Sequence, residues 1–188
     1  MGRMMLGQAA VRKGMTSRIV WLALAATVGS VRAQAPVADE YPVKAAFLFN
    51  FAKFVEWPAV AFKSPEDPIA ICVLGQDPFG TALEEVVRNK TVANRPFVVR
   101  EVLNAQQAIT CQIVFVSASE RKRFRPLLDG LKGRSILTVG EADDFTASGG
   151  IINFKLKDAR VRIEIDAGAA DRAGLRISSK LLSLADRK

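Results

Sequence analysis

The side chains that most often run hydrolytic, metal-assisted or nucleophilic chemistry are nearly missing from this sequence. The chain has 188 residues and no histidine. A Ser-His-Asp or Cys-His arrangement therefore cannot be assembled. Two cysteines, Cys72 and Cys111, without a histidine give no zinc or transition-metal ligand set. Three weaker patterns remain. Gly75-Gln-Asp-Pro-Phe-Gly80 has the glycine spacing of a phosphate loop, but Thr81 and Ala82 stand where the phosphate-binding lysine belongs. It reads more simply as a strand-to-helix turn. Ser119-Glu120-Arg121-Lys122 fits S-x-x-K, in which the lysine activates the serine, yet the companion motifs of those hydrolases are absent. Glu141, Asp143 and Asp144 would have to supply most of a calcium shell of six to eight oxygens. Their spacing is not that of a calcium loop, and a solvated acidic turn explains them. Carboxylate-only chemistry, such as sugar cleavage, is the one catalytic class left formally open. The residue types point to binding rather than catalysis, with no cofactor and no metal.

The elements that must position any binding surface can be traced from periodicity. Tyr41 to Trp57 is expected to be a helix, with Pro42 allowed in its first turn and Pro58 ending it. Phe47, Leu48, Phe51, Phe54 and Val55 gather on one side at helical spacing. Asn50, Lys53 and Glu56 lie across from them, and Phe49 falls on that polar side. That makes Phe49 a candidate contact for a partner. Ile69 to Leu74 is a continuous apolar run bounded by Pro68 and Gly75, as in a strand buried on both faces. A short helix is expected over Thr81 to Arg88, with Leu83, Val86 and Val87 inward. Further strands are expected at Pro96 to Leu103, Cys111 to Ser117 and Ile136 to Val139. A helix is expected over Glu120 to Leu131, with Pro126 blurring its start.

This β-α-β-β-α-β order predicts an α/β fold with a mostly parallel or mixed central sheet flanked by helices. A C-terminal hairpin should follow. Ile152, Phe154 and Leu156 alternate with polar residues, then Val161, Ile163 and Ile165 do the same after a turn near Lys157 and Asp158. The end reads as two short helices broken at Gly174, the second capped by Ser178. One face of that helix cannot bury Leu181, Leu182 and Leu184 equally, so Leu182 is a second candidate for partner contact. Cys72 lies in the first strand and Cys111 opens the third. In a sheet whose chain reverses after the second strand those two are neighbours, which predicts a Cys72–Cys111 disulfide. Two buried free thiols are the alternative.

The N-terminal segment reads as an export signal. Arg12, Lys13 and Arg18 precede the apolar run Ile19 to Val28, and Val31-Arg32-Ala33 offers small residues at both recognition positions. The run falls short of the about 20 residues of a spanning helix. No cysteine follows it to carry a lipid anchor, and Met15 is an alternative start. Residues 1–33 are thus expected to be removed, leaving a single domain over 34–188 with an ordered core of about 41–186. The whole chain carries +8, but without residues 1–33 it has 22 Lys+Arg against 19 Asp+Glu, a net +3. Such a balance argues against nucleic acid as a partner.

Five stretches, in order, resemble the YfiR family of exported regulators. They are Tyr41 to Pro58, Ile71 to Gly80, Leu137 to Gly140, Gly149 to Phe154 and Ala173 to Leu182. The resemblance implies a periplasmic α/β protein, often a homodimer, that restrains a membrane-bound diguanylate cyclase by binding its periplasmic portion. It also implies that an outer-membrane lipoprotein can capture the regulator, release the cyclase and raise cyclic-di-GMP, which favours biofilm formation. Other relatives accompany sensor kinases or receptors. Members of the family often carry a second cysteine pair towards the C-terminal half; here no cysteine follows Cys111. A small-ligand binding module serving a receptor, sensor kinase or transporter is the alternative reading.

Overall fold

The computed structural model describes residues 40–186. The expected signal segment, its expected cleavage point and the alternative start at Met15 lie outside the described residues. Helix α1, Glu40–Phe54, opens the described part and runs directly into a two-residue strand β1, Val55–Glu56. The sheet that follows contains β2 (Ile69–Leu74), β3 (Thr91–Val92), β4 (Arg95–Val102), β5 (Ile113–Val116), β6 (Leu137–Gly140), β7 (Ile152–Lys157) and β8 (Arg160–Ile165). Its order is β3-β4-β2-β5-β6-β7-β8. The four pairings from β4 through β2, β5 and β6 to β7 are parallel. The two outer pairings, β3 with β4 and β7 with β8, are antiparallel. This is the mixed, mostly parallel sheet expected from the sequence.

Helices cover both faces, which is why β2 reads as an unbroken apolar run. Alternate residues Ile69, Ile71 and Val73 join one buried cluster with α1 and with α2 (Ala82–Val87). Ala70, Cys72 and Leu74 join the opposite cluster, under α3 (Ala105–Ala108) and α4 (Phe124–Leu131). The chain ends with α5 (Ala167–Arg172), β9 (Arg176–Ile177) and α6 (Ser179–Leu182). β9 pairs antiparallel with β1, so the C-terminal segment is tied to the end of the first helix.

The helix expected to run to Trp57 ends at Phe54, and β1, β3, α3 and β9 escaped the sequence reading because they are two to four residues long, too short for a period to show. The expected helix from Glu120 splits into a 3-10 turn at Ala118–Glu120 and α4 from Phe124, which places Pro126 in the first turn, where its missing N–H costs nothing. Gly174 has φ +70 and closes α5, as the break there required. Cys72 and Cys111 are joined in a disulfide with Cα atoms 6.1 Å apart.

The face of α1 differs from the expected one by about one residue. Its buried line runs through Ala45, Leu48, Phe49 and Ala52, with Phe51 beside it, while Phe47 and Phe54 are only half-buried. The phenylalanine pattern missed this because two alanines carry the centre of the face and let the helix sit close to the sheet. Phe49 is consequently not outside the core: it is only 8% exposed. Its ring meets Phe97 of β4 edge-on at 5.4 Å, and Lys53 and Lys90 place their ammonium groups 4.3 and 4.6 Å from its centre. α1 packs sideways on α2 as well as down on the sheet. A helix with two neighbours buries a wider arc than a single-stripe reading allows.

Candidate partner-docking face

The place where a doubly wound sheet normally holds a ligand is the crevice where strand order reverses. Here that is the carboxyl end of β2 and β5, and the protein's own side chains fill it. Gly75, with φ +95, ends β2, and a Cβ on it would stand 2.5 Å from Ser119 Oγ and 2.7 Å from Glu120 Cγ. Ser119 Oγ accepts the Gln76 N–H at 2.9 Å. Lys122, the other half of the S-x-x-K pattern, is exposed. The loop between Gly75 and Gly80 is likewise occupied. Asp77 accepts the Phe79 N–H at 2.8 Å, and Phe79 is buried against Phe115 and Tyr41 at ring distances of 4.8 and 5.6 Å. With an aromatic plug, the buried carboxylate of Glu120 alongside and no lysine, the loop has nothing with which to hold a phosphate.

The acidic turn is dispersed in the same way. Glu141 receives Lys44 Nζ at 2.5 Å on one oxygen and the Ala118 N–H at 2.8 Å on the other. Asp144 pairs with Arg125, and Asp143 is exposed. Arg125 holds the Asp144 carboxyl below the usual carboxylate range through its hydrogen bond. Among the described residues no group of three Cys, Asp or Glu side chains is placed to hold a metal ion.

Lys44 is the centre of a buried charge cluster. It is almost fully buried and pairs with Glu40 one turn earlier as well as with Glu141. Burial would lower its pKa, but the hydrogen bonds to Glu141 and Glu40 outweigh that and raise it. Burial and the nearby Glu141 charge likewise push the Tyr41 phenol up. Lys44, Tyr41 and Glu141 border a hollow of about 410 Å³, with Arg121, Lys155 and Leu156 on its other side. Lys44 is paired with both Glu40 and Glu141, so the cluster fastens α1 to the ends of β5 and β6.

Among the described residues the fold leaves six large hydrophobic side chains exposed. They are Val43, Leu156, Leu182 and Leu184 at 42, 53, 39 and 57%, with Val60 before β2 and Leu103 after β4 at 89 and 72%. The elements that carry Val43, Leu156, Leu182 and Leu184 meet around α1 and β8, and Val60 and Leu103 lie outside them. Phe47 and Phe51 of α1 pack on Phe154 of β7 at 5.9 and 5.8 Å. At the other end, the Ser178 N–H donates to the Phe54 carbonyl at 2.8 Å. Ser178 Oγ caps α6 by accepting the Leu181 N–H at 3.3 Å. Leu181 is thereby driven into the core, leaving Leu182 and Leu184 outside. The chain then returns to β8, where the Asp186 N–H donates to the Ile163 carbonyl at 2.9 Å. The cap is what separates Leu181 from Leu182, so the sequence contained the signal for Leu182. Leu156 and Val43 escaped the reading because alternation alone placed Leu156 inward and nothing singled out Val43, whereas Leu184 is one of the three terminal leucines that a single face cannot bury equally.

A family model described as YfiR/HmsC-like matches residues 41–186, which is nearly the whole described part. A search of curated proteins finds no match.

Proposed function

The chain belongs to the YfiR/HmsC-like family, and from that membership we propose that it is a periplasmic regulatory binding protein whose apolar edge docks an inner-membrane signalling protein. The carrying observation is the contrast between the filled ligand crevice and the uncovered side chains Leu156, Leu182 and Leu184. A filled crevice together with leucines left in water on neighbouring elements supports a protein surface, rather than a small ligand, as what is bound. The partner is the periplasmic region of a diguanylate cyclase. Binding one of its conformational states preferentially holds it inactive and lowers cyclic-di-GMP. An outer-membrane lipoprotein that competes for the same edge would lift the restraint, and a homodimer through another face is compatible with it. Export by removal of residues 1–33 brings the protein to that compartment.

The test is a deletion strain complemented with wild type or Leu182→Ala. Deletion should raise cyclic-di-GMP and surface attachment, wild type should reverse both, and Leu182→Ala should reverse them poorly at normal protein abundance. Unchanged cyclic-di-GMP on deletion, with every membrane cyclase expressed, would sink the cyclase reading.

A second reading, a small-ligand module serving a receptor, sensor kinase or transporter, is favoured by one feature. A hollow of about 470 Å³ between α4 and α5 has Lys132, Arg134 and Arg172 in its lining, with Lys132 also paired to Asp129 and Arg172 to Asp166. An anionic small ligand would suit it. That reading takes precedence if deletion leaves cyclic-di-GMP unchanged.

A further inference from the structure

The β7–β8 hairpin carries a charge pattern that the fold does not explain. Its register sets Lys155 directly opposite Arg162 and Lys157 directly opposite Arg160. Like charges facing each other across a strand pair destabilise it. Because side chains alternate, all four cations share one face, while Leu156 and Val161 pair on the other. All four are exposed. Lys155 reaches Glu164 at 2.5 Å, but Lys157, Arg160 and Arg162 have no ion-pair partner among the described residues. β6 pairs with β7 only at Ile152 and Asn153, so the hairpin projects past the carboxyl edge of the parallel strands with its cationic face uncovered.

The charge is concentrated there. Residues 40–186 hold 20 Lys+Arg and 18 Asp+Glu, a net +2, whereas residues 155–162 alone hold four cations and Asp158, a net +3. The remainder of the domain is therefore net −1. Of the four cations only Lys155 finds a counter-charge within the described part of the domain, which leaves the hairpin face open to one from outside.

We propose that this hairpin face binds the surface of an anionic phospholipid bilayer. A protein interface has an apolar centre depleted of charge, and this face has none. It is an array of cations on a two-stranded ribbon, and only Lys155 of the four borders a hollow, one that Glu40, Glu141 and Asp143 also line. An anionic leaflet rewards each nearby Lys or Arg separately and without fixed geometry, which is what such an array can use. The cationic face is opposite the one carrying Leu156, so bilayer contact leaves the apolar edge free and orients it beside the membrane. The proposal does not depend on which partner docks at that edge.

The experiment is flotation of the exported protein with phosphatidylcholine vesicles, with and without phosphatidylglycerol, at low and high salt. Binding should require phosphatidylglycerol and fade as salt screens the charges. Lys157→Gln/Arg160→Gln should bind about thirtyfold more weakly, from the loss of two cations at the surface. Its melting temperature should be unchanged or higher, because one like-charge pair has been removed. Leu182→Ala should float like wild type. No binding to phosphatidylglycerol vesicles at low salt overturns the proposal, as does binding that survives the double substitution. A double variant that keeps vesicle binding but loses a partner protein would assign the cations to an acidic protein surface instead.

Discussion

Lys44 Nζ lies 2.5 Å from Glu141 Oε2, joining the first helix to the end of β6 across 97 positions of sequence. Both side chains are nearly out of water, and Glu40 completes the cluster. Removing one partner of such a pair leaves a buried charge uncompensated. Lys44→Met is therefore expected to cost about 3 kcal/mol in urea unfolding. Lys44→Met combined with Glu141→Gln should recover part of that loss. The pH dependence has a definite sign. The native Lys44 pKa is raised above the unfolded value near 10.5. Its contribution is therefore complete below that value and is lost as pH rises through the native one. The wild-type advantage over Lys44→Met should persist through neutral pH and shrink only in strong alkali.

The Cys72–Cys111 bridge spans a sequence separation of 39 and ties β2 to the approach of β5. Constraint of the unfolded chain over a loop of that length is worth about 4 kcal/mol before any native strain. The Cys72→Ala/Cys111→Ala variant should unfold at clearly lower denaturant than the oxidised wild type. Peptide mapping without reductant should recover one linked pair. Two free thiols after air oxidation would contradict it.

Phe145 is fully buried between two glycines. A Cβ on Gly140 would stand 2.4 Å from its ring, and one on Gly150 would stand 2.2 Å away. Neither alanine fits unless the ring moves, and the ring packs on Phe124 at 5.6 Å. Gly140→Ala and Gly150→Ala should each lower stability by about 1–3 kcal/mol by overpacking. Adding Phe145→Leu to either should make the second substitution cost less than it does alone, as a thermal unfolding series would show.

Much of this architecture was legible in the sequence, and the reasons for the gaps are specific. β2, β5 and β6 announce themselves as apolar runs because helices cover both sheet faces, and β7 and β8 show clean alternation because the outer half of the hairpin is solvated. The disulfide followed from strand order. Phe49 was misplaced because one helix was read as having one neighbour, when α2 supplies a second. Gln112 was invisible: its side chain accepts the Ala70 N–H at 2.9 Å and donates to the Ala61 carbonyl at 2.8 Å, a link from the start of β5 to β2 and to the turn before it that no spacing encodes. The cationic face of the hairpin needed the register, since Lys155 and Arg162 become neighbours only once the turn is fixed at Asp158 and Ala159.

Export makes a prediction independent of the fold. Small residues at Val31 and Ala33 after an apolar run place the cut after Ala33. Mass spectrometry of the secreted protein should find Gln34 at the N-terminus, in open or cyclised form. A secreted chain that still contains Trp21 would contradict it.

Phe49 and Leu182 should separate stability from binding. Phe49 is packed by Phe97 and bracketed by the ammonium groups of Lys53 and Lys90. Phe49→Ala opens a cavity between α1, α2 and β4, and is expected to lower stability by about 3 kcal/mol. Leu182 sits after the Ser178 cap with 39% of its surface in water, while Leu181 carries the core contact of the same turn. Leu182→Ala should therefore change the unfolding midpoint little. If the apolar edge is the docking surface, the same substitution should weaken binding to the partner's isolated periplasmic region by tenfold or more, the effect of truncating an interface anchor. Leu181→Ala supplies the internal control, because it should destabilise the protein as a buried leucine does. Equal partner binding by Leu182→Ala and wild type would move the docking surface away from α6. A large stability loss in Leu182→Ala would instead make that leucine part of the core.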